Sequence, residues 1–480
     1  MALSFLAIDL IFLAAFLMFF SVFLYTRKHN LKREGLLVLY RTQWGVKLID
    51  YLGRKHKKTL DVLSYVSIAC GYLLMIGIFY LIYVIVEIYF FSPDIVRAIR
   101  VPPILPLFPY LPQVFKLDFL PPFFFTYWIV IIAVIAITHE MAHGVFMRRY
   151  NIKIKSTGFA FFPFFLPIFP AAFVEQDEKS FTKAKNFQQM AALSAGTFAN
   201  VLTAVLFFVV LIVFFFLAFT PAGVVFDNYA TSAVAISGIS AVNGISLDNG
   251  SYDDVLSLTS ETGFSEVIVE GNTFLITNEV IEAQRENAEE TGTLLLYNDA
   301  PAIKENISSI ITKVNGVEID SVNSLILELG KYPPGQEIAL TTVEDEGEVT
   351  RNIVLEEHPE IPGRGYIGIG FLNQERSGIL GNVVETLTFK EPNVYYEPKF
   401  DGLSVFLYNL LWWLVLISLS VALVNMLPVG IFDGGRFFYL TILSLTKSEK
   451  AAQKAFAIST YFFLFVLLAL MVFWAFAFLF

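Results

Sequence analysis

Charge is scarce in this 480-residue chain: 16% of its residues are Asp, Glu, Lys or Arg and 56% are hydrophobic, against about 25% and about 45–50% in soluble globular proteins. So little charge excludes an ordinary soluble fold and implies a membrane protein. Cysteine is nearly missing. Cys70 stands alone in an apolar segment, which excludes an intrachain disulfide and leaves the redox compartment unread. Histidine is almost as rare, with five in the chain. The formal net charge of −10 means little as a total, because the two signs are segregated along the chain. Nothing in this pattern suggests a nucleic-acid partner.

What is present in abundance is long apolar sequence. Runs near 3–25, 63–91, 123–147, 190–219, 403–427 and 456–480 are each long enough to cross a bilayer as a helix. The first lacks a basic leader and a small-residue cleavage site, so it is expected to be an anchor and not a signal peptide. Residues 26–58 include "RKHNLKR" and "GRKHKK" and carry ten Lys and Arg. Basic residues concentrate in short cytoplasmic loops, which places the N-terminus outside. Alternation then puts the Pro-rich 101–122 outside, Arg148 and Arg149 inside, 221–400 outside, and Lys447, Lys450 and Lys454 inside.

The region 221–400 holds 29 acidic and 9 basic residues and reads as a solvated module. It carries an internal repeat. "GVVFDNYATSAVAISGISAVNG" at 223–244 parallels "GTLLLYNDAPAIKENISSIITKVNG" at 292–316, each closing on a Val-Asn-Gly turn between β-branched strands. The second copy continues through strand, helix, turn, strand, acidic hairpin and strand. It resembles a PDZ domain of the kind attached to bacterial and archaeal proteases; an unrelated small β-rich ectodomain is the alternative.

At 133–146 the chain reads "AVIAITHEMAHGVF". A helix brings positions i and i+4 to one face, so His139 and His143 can direct ring nitrogens at one metal while Glu140 stands beside it, placed to take a proton from an attacking water. Either histidine alone would read as a buried core residue, but ionisable groups inside a span default to function. Two imidazoles leave a catalytic zinc short of a third protein ligand. The candidate source is "NMLPVGIFDGGR" at 425–436, where the fifth span meets Pro428 and presents Asp433 in a Gly-bounded turn. Such a turn is often only a turn. Topology favours a ligand: with Arg148 and Arg149 at the inner end of the third span, His143 and His139 lie about 8 and 13 Å up the helix, a depth the break after Pro428 can share.

Together these residues resemble the site-2 protease family of intramembrane zinc metalloproteases. "HEMAHG" at 139–144 is similar to that family's H-E-x-x-H-G, and Asn425, Pro428, Asp433 and Gly434 to its N-x-x-P-x-x-x-x-D-G. A further element, Gly followed four residues later by Asn, appears as "GTFAN" from Gly196 to Asn200, with Thr197 where the family often has Pro. The resemblance covers about 120–220 and 400–445. It implies zinc held by His139, His143 and Asp433, Glu140 as general base, and Asn200 and Asn425 donating to substrate backbone or the developing oxyanion. As lone residues the two asparagines would read as helix–helix hydrogen-bonding groups.

The segment "TGFAFFPFFLPIFPAAFVEQ" at 157–176 is apolar, yet Pro163, Pro167 and Pro170 bar an ordinary spanning helix. A re-entrant loop or hairpin is expected, with an edge strand able to pair an unwound substrate; a Phe-rich interfacial loop is the plainer alternative. The expected fold is therefore an α-helical polytopic membrane protein of six transmembrane helices and a re-entrant segment, with an inserted extracytoplasmic α+β PDZ-like region. Its parts are N-terminal membrane helices (1–120), a first catalytic part (121–220), the insert (221–400, as possible tandem copies 221–290 and 291–375) and a second catalytic part (401–480). The expected partners are the lipid bilayer and membrane proteins with a transmembrane helix to be cut. A divalent-metal transporter and a silent membrane scaffold are the rival readings; neither needs Glu140.

Overall fold

Apolar runs too long for a soluble core become helices along nearly their whole length, because a helix satisfies every backbone group within its own segment where no water can. The computed structural model describes residues 5–34, 37–92, 96, 102–103, 107–117, 119–161, 171–248, 250–344, 347–359, 361–371 and 378–479. Two units emerge, 1–215 with 405–480, and 216–404.

The first unit holds helices α1 (Phe5–Thr26), α2 (Val46–Lys55), α3 (Lys57–Phe91), α4 (Phe125–Arg149), α5 (Asn186–Ala218), α6 (Asp401–Asn425, from Val405 on), α7 (Asp433–Thr446) and α8 (Glu449–Leu479). Six of them, all but α2 and α7, are long and apolar enough to cross a membrane. Their bounds follow the expected spans to within seven residues, the largest differences being the earlier starts of α3 and α8. Residues 26–58 are more than a connecting loop. They supply strands β1 (Leu31–Glu34) and β2 (Leu37–Thr42) as well as α2, and the strands join β3 (Ile154–Phe161) and β4 (Ala171–Gln176) in an antiparallel sheet of order β1-β2-β3-β4. The expected re-entrant segment thus contributes two paired strands. Its tip, 162–170, with Pro163, Pro167 and Pro170, lies outside the described residues.

Between membrane helices there is little hydrophobic driving force, so close approach through small residues has to hold them. The α5 face Ala191, Ala192, Ser194, Ala195, Gly196 and Thr197 is buried throughout. Against it packs α3 at Gly71, where an added Cβ would lie 3.1 Å from that of Ser194 and 3.4 Å from the Phe437 ring of α7.

At the other end of α4, residue Phe124 offers no side-chain cap. Asp9 of α1 supplies one. Its carboxylate, 1% exposed, accepts from the N–H groups of Phe125 and Thr126, both at 2.9 Å, from the Tyr110 hydroxyl at 2.6 Å and from the Thr126 hydroxyl. Anionic charge at a helix start meets the free N–H groups and the positive end of the dipole. Asp9→Ala is expected to lower the melting temperature in detergent substantially, since each bond to a charged acceptor is worth about 1.5–3 kcal/mol. Asp9→Asn should lose less, and equal melting of all three forms would show that the carboxylate does not hold α4.

The second unit carries two six-stranded sheets. One runs Thr231–Ala235, Thr293–Asn298, Asn272–Thr277, Phe264–Val269, Ile239–Val242, Ile245–Ser246; the other runs Gly347–Val354, Glu337–Glu344, Ile310–Val314, Phe219–Val225, Val394–Pro398, with Val317–Glu318 beside Ile310–Val314. Each has its own core. The two Val-Asn-Gly turns are alike: Asn243 and Gly244 have φ of 50° and 77°, Asn315 and Gly316 of 48° and 79°, the positive pair that a type I′ hairpin requires. A serine-capped helix follows each, Tyr252–Leu258 after Ser251 and Val322–Leu329 after Ser321. Entry and exit strands of the unit, Phe219–Val225 and Val394–Pro398, are antiparallel partners.

Candidate metal centre

Helix α4 places His139 and His143 one turn apart on its buried face, 9% and 6% exposed. The break between α6 and α7 brings Asp433 to them. Their ligating atoms converge: His139 Nε2 to His143 Nε2 is 3.0 Å, and Asp433 Oδ2 lies 3.4 Å from the first and 3.2 Å from the second. Zinc bonds of about 2.0–2.1 Å make a tetrahedron with an edge of about 3.3–3.4 Å, so the triangle is the right size for one face of a zinc site.

Protonation supports the same reading. His143 Nδ1 donates to the Ala192 carbonyl at 2.7 Å, which leaves Nε2 a bare lone pair. His139 Nδ1 faces the Asn200 amide, whose nitrogen stands 3.0 Å away while its buried oxygen has no partner. Exchanging the two by an amide flip gives Nδ1–H an oxygen to donate to. Three acceptors then point at one another, an arrangement that a cation satisfies. The residues fit zinc.

Two glycine features explain why the helices can approach so closely. A Cβ on Gly196 would stand 2.3 Å from His143 Nε2 and 2.7 Å from His139 Nε2, so α5 can pass behind the pair only as glycine. A Cβ on Gly434 would lie 2.3 Å from the Met426 backbone, and one on Gly435 2.4 Å from the Val429 carbonyl oxygen. "DGG" is therefore the closely packed first turn of α7, not the loop turn expected from the sequence. Gly196→Ala should lower zinc occupancy about 10–100-fold in affinity, the usual cost of disturbing a group that orients ligands. Unchanged zinc by elemental analysis would mean that α5 yields instead.

Glu140 follows His139 and accepts from the Val174 N–H of β4 at 2.8 Å. It lines two cavities that meet at His139 and Asp433. One, of about 500 Å³, runs between α4 and α6 past Ile132, Ile135, Ala136, Ile417 and Val421, with Asn425 on its wall. The other, of about 450 Å³, is polar and passes Lys155, Glu175, Gln176 and Glu178. Asn200 lines neither cavity. It is fully buried, with its amide against the His139 ring. Asn425 lies on the wall of the first cavity.

Sequence reasoning missed the groups around the candidate ligands, Arg436 on α7 and the Ala192 carbonyl beside His143. Arg436, one turn on, bonds both oxygens of Glu178 at 3.0 and 3.2 Å and lies 4.3 Å over the Phe181 ring. The Arg436 bond holds the Glu178 carboxyl below the usual carboxylate range. A cation directly after "DGG" was the available signal. The Ala192 carbonyl left none, because any residue carries one.

Residues 127–470 match the family profile described as Peptidase family M50. Over 188 residues the chain is 23% identical to the zinc metalloprotease RasP of Shouchella clausii (strain KSM-K16), a stretch covering 34% of this chain and 45% of that protein.

Proposed function

We propose, from the premise that this chain belongs to peptidase family M50, that it is an intramembrane zinc endopeptidase cutting transmembrane segments of other membrane proteins. The observation that carries the reading is the convergence of His139, His143 and Asp433 beside Glu140 where an apolar cavity meets a polar one. An apolar substrate segment and water reach one point from different sides.

When bound, zinc supplies a Lewis acid that activates water and polarises the scissile carbonyl. Glu140 takes the proton from the attacking water and returns it to the leaving amine. Asn425, on the cavity wall without a side-chain partner among the described residues, donates to the substrate carbonyl. Asn200 fixes the tautomer of His139. A helical substrate must unwind before its carbonyls are accessible, and β4 supports this step: it is the edge of its sheet, and its Val174 N–H already turns toward Glu140. An extended substrate can add to that edge. The basic residues of 26–58 support a zinc site near the cytoplasmic face and an acidic unit outside. There it acts as a PDZ-like filter that admits substrates with small ectodomains.

Purified protein should cleave single-pass substrates with minimal ectodomains, cut those with large folded ectodomains poorly, and lose all cleavage with a chelator. Cleavage that persists in chelator, or metal transport by proteoliposomes without cleavage, would overturn the reading.

A further inference from the structure

Helix α2 lies outside the matched family region and is wedged against the part of α4 that carries His143. Ile49, 1% exposed, packs on Gly144, where an added Cβ would fall 2.9 Å from its Cδ1. Gly53 meets α4 just as closely: a Cβ there would be 2.7 Å from that of Arg148 and 2.8 Å from the Val145 carbonyl. Asp50 pairs with Arg148. Just before α2, the Trp44 carbonyl accepts from the Thr157 hydroxyl of β3 at 2.6 Å. The segment therefore grips both the helix bearing the histidines and the sheet whose edge touches Glu140.

Its other face is uncovered. Trp44, Leu48 and Tyr51 are 77%, 48% and 53% exposed. Around them stand Lys47, Arg54, Lys55, Lys57 and Lys58, all exposed, and the only acid between 44 and 58 is Asp50, already paired with Arg148. Lys55 lies 4.7 Å over the Tyr51 ring; among the described residues no ion pair engages Lys47, Arg54, Lys57 or Lys58. On a helical wheel Leu48, Tyr51 and Lys55 form one stripe opposite Ile49 and Gly53. His56 alone separates α2 from the spanning helix α3, which begins at Lys57. A helix so tethered lies at the membrane surface. Exposed Trp and Tyr beside a cluster of cations suit the headgroup layer of an anionic leaflet.

We propose that the Trp44–Lys58 segment binds anionic lipid headgroups of the leaflet nearest His143, and that this binding braces the α4 turn bearing His143. The lipid-binding half stands independently of the protease reading; an effect on cleavage rests on it.

The full chain, with Cys70→Ala and a fluorophore on Leu48→Cys, is placed in phosphatidylcholine vesicles with and without phosphatidylglycerol. Phosphatidylglycerol should increase quenching of the label by brominated lipid and slow hydrogen exchange at 143–149. It should also raise cleavage. In detergent, Lys47→Gln/Arg54→Gln/Lys55→Gln should bind short-chain phosphatidylglycerol on the order of a hundredfold more weakly, about fivefold per cation, and in vesicles should lose all three responses. Quenching and exchange indifferent to phosphatidylglycerol overturn the proposal. So does cross-linking of unlabelled Leu48→Cys protein to a second copy, which would make the face a protein contact. A change in quenching with none in exchange overturns the brace. If both physical responses occur and no substrate is cut in any vesicle, the failure belongs to the protease reading.

Discussion

Glu140→Gln is expected to keep its zinc and lose cleavage by about 10²–10⁴-fold, the range a positioned general base contributes. Glutamine has nearly the same shape, and its amide oxygen can still accept the Val174 N–H that Glu140 accepts at 2.8 Å, so the edge strand should stay in place. What is lost is the ability to take a proton. No other carboxylate in the polar cavity can substitute. Burial alone would raise the carboxyl of Glu175, but bonds from Ser156 at 2.7 Å and Arg41 at 2.8 Å outweigh it and hold the group below the usual range. Glu178 is held by both arms of Arg436. Each is already committed as an anion to partners of its own. Single-turnover cleavage of a minimal substrate, with zinc measured on the same preparation, checks the expectation; equal turnover in both forms would remove Glu140 from the chemistry.

Asp433→Ala is expected to act differently, by losing metal. The variant would leave two protein ligands and take the only negative charge out of the triangle, so zinc affinity should fall by more than the roughly 10–100-fold that loss of a supporting residue costs. Cleavage should vanish with the zinc. The fold should survive, because α7 stays nested through Gly434 and Gly435 against Met426 and Val429 and remains tied by Arg436 to Glu178. Elemental analysis separates the two variants cleanly: Glu140→Gln full and inactive, Asp433→Ala empty and inactive. Full zinc in the Asp433 variant would assign the third ligand to another residue.

Part of this molecule was legible without coordinates. Six apolar runs become six helices because length and apolarity are local properties to which the bilayer, as solvent, responds directly. His139 and His143 share a face because helical geometry makes positions i and i+4 neighbours, and the two Val-Asn-Gly turns have the positive φ pair that their residues favour. The basic stretch 26–58 was harder. Its charge marks a membrane surface, yet Ile49, Gly53 and the alternation in β2 are too short a signal to reveal a helix and two strands.

The sequence by itself determined the spans, the pairing of the histidines with Glu140, and Asp433 as the candidate third ligand. Only the tertiary structure decided that His139 Nε2, His143 Nε2 and Asp433 Oδ2 lie within 3.4 Å of one another, that the Asn200 amide faces His139, and that α2 packs against the turn after His143. These depend on which small residue lets which backbone approach: Gly196 behind the histidines, Gly434 against Met426, Gly144 under Ile49. A glycine in the chain looks the same whether it opens a turn, fills no space or admits a neighbouring helix, and only the neighbour's position tells these apart.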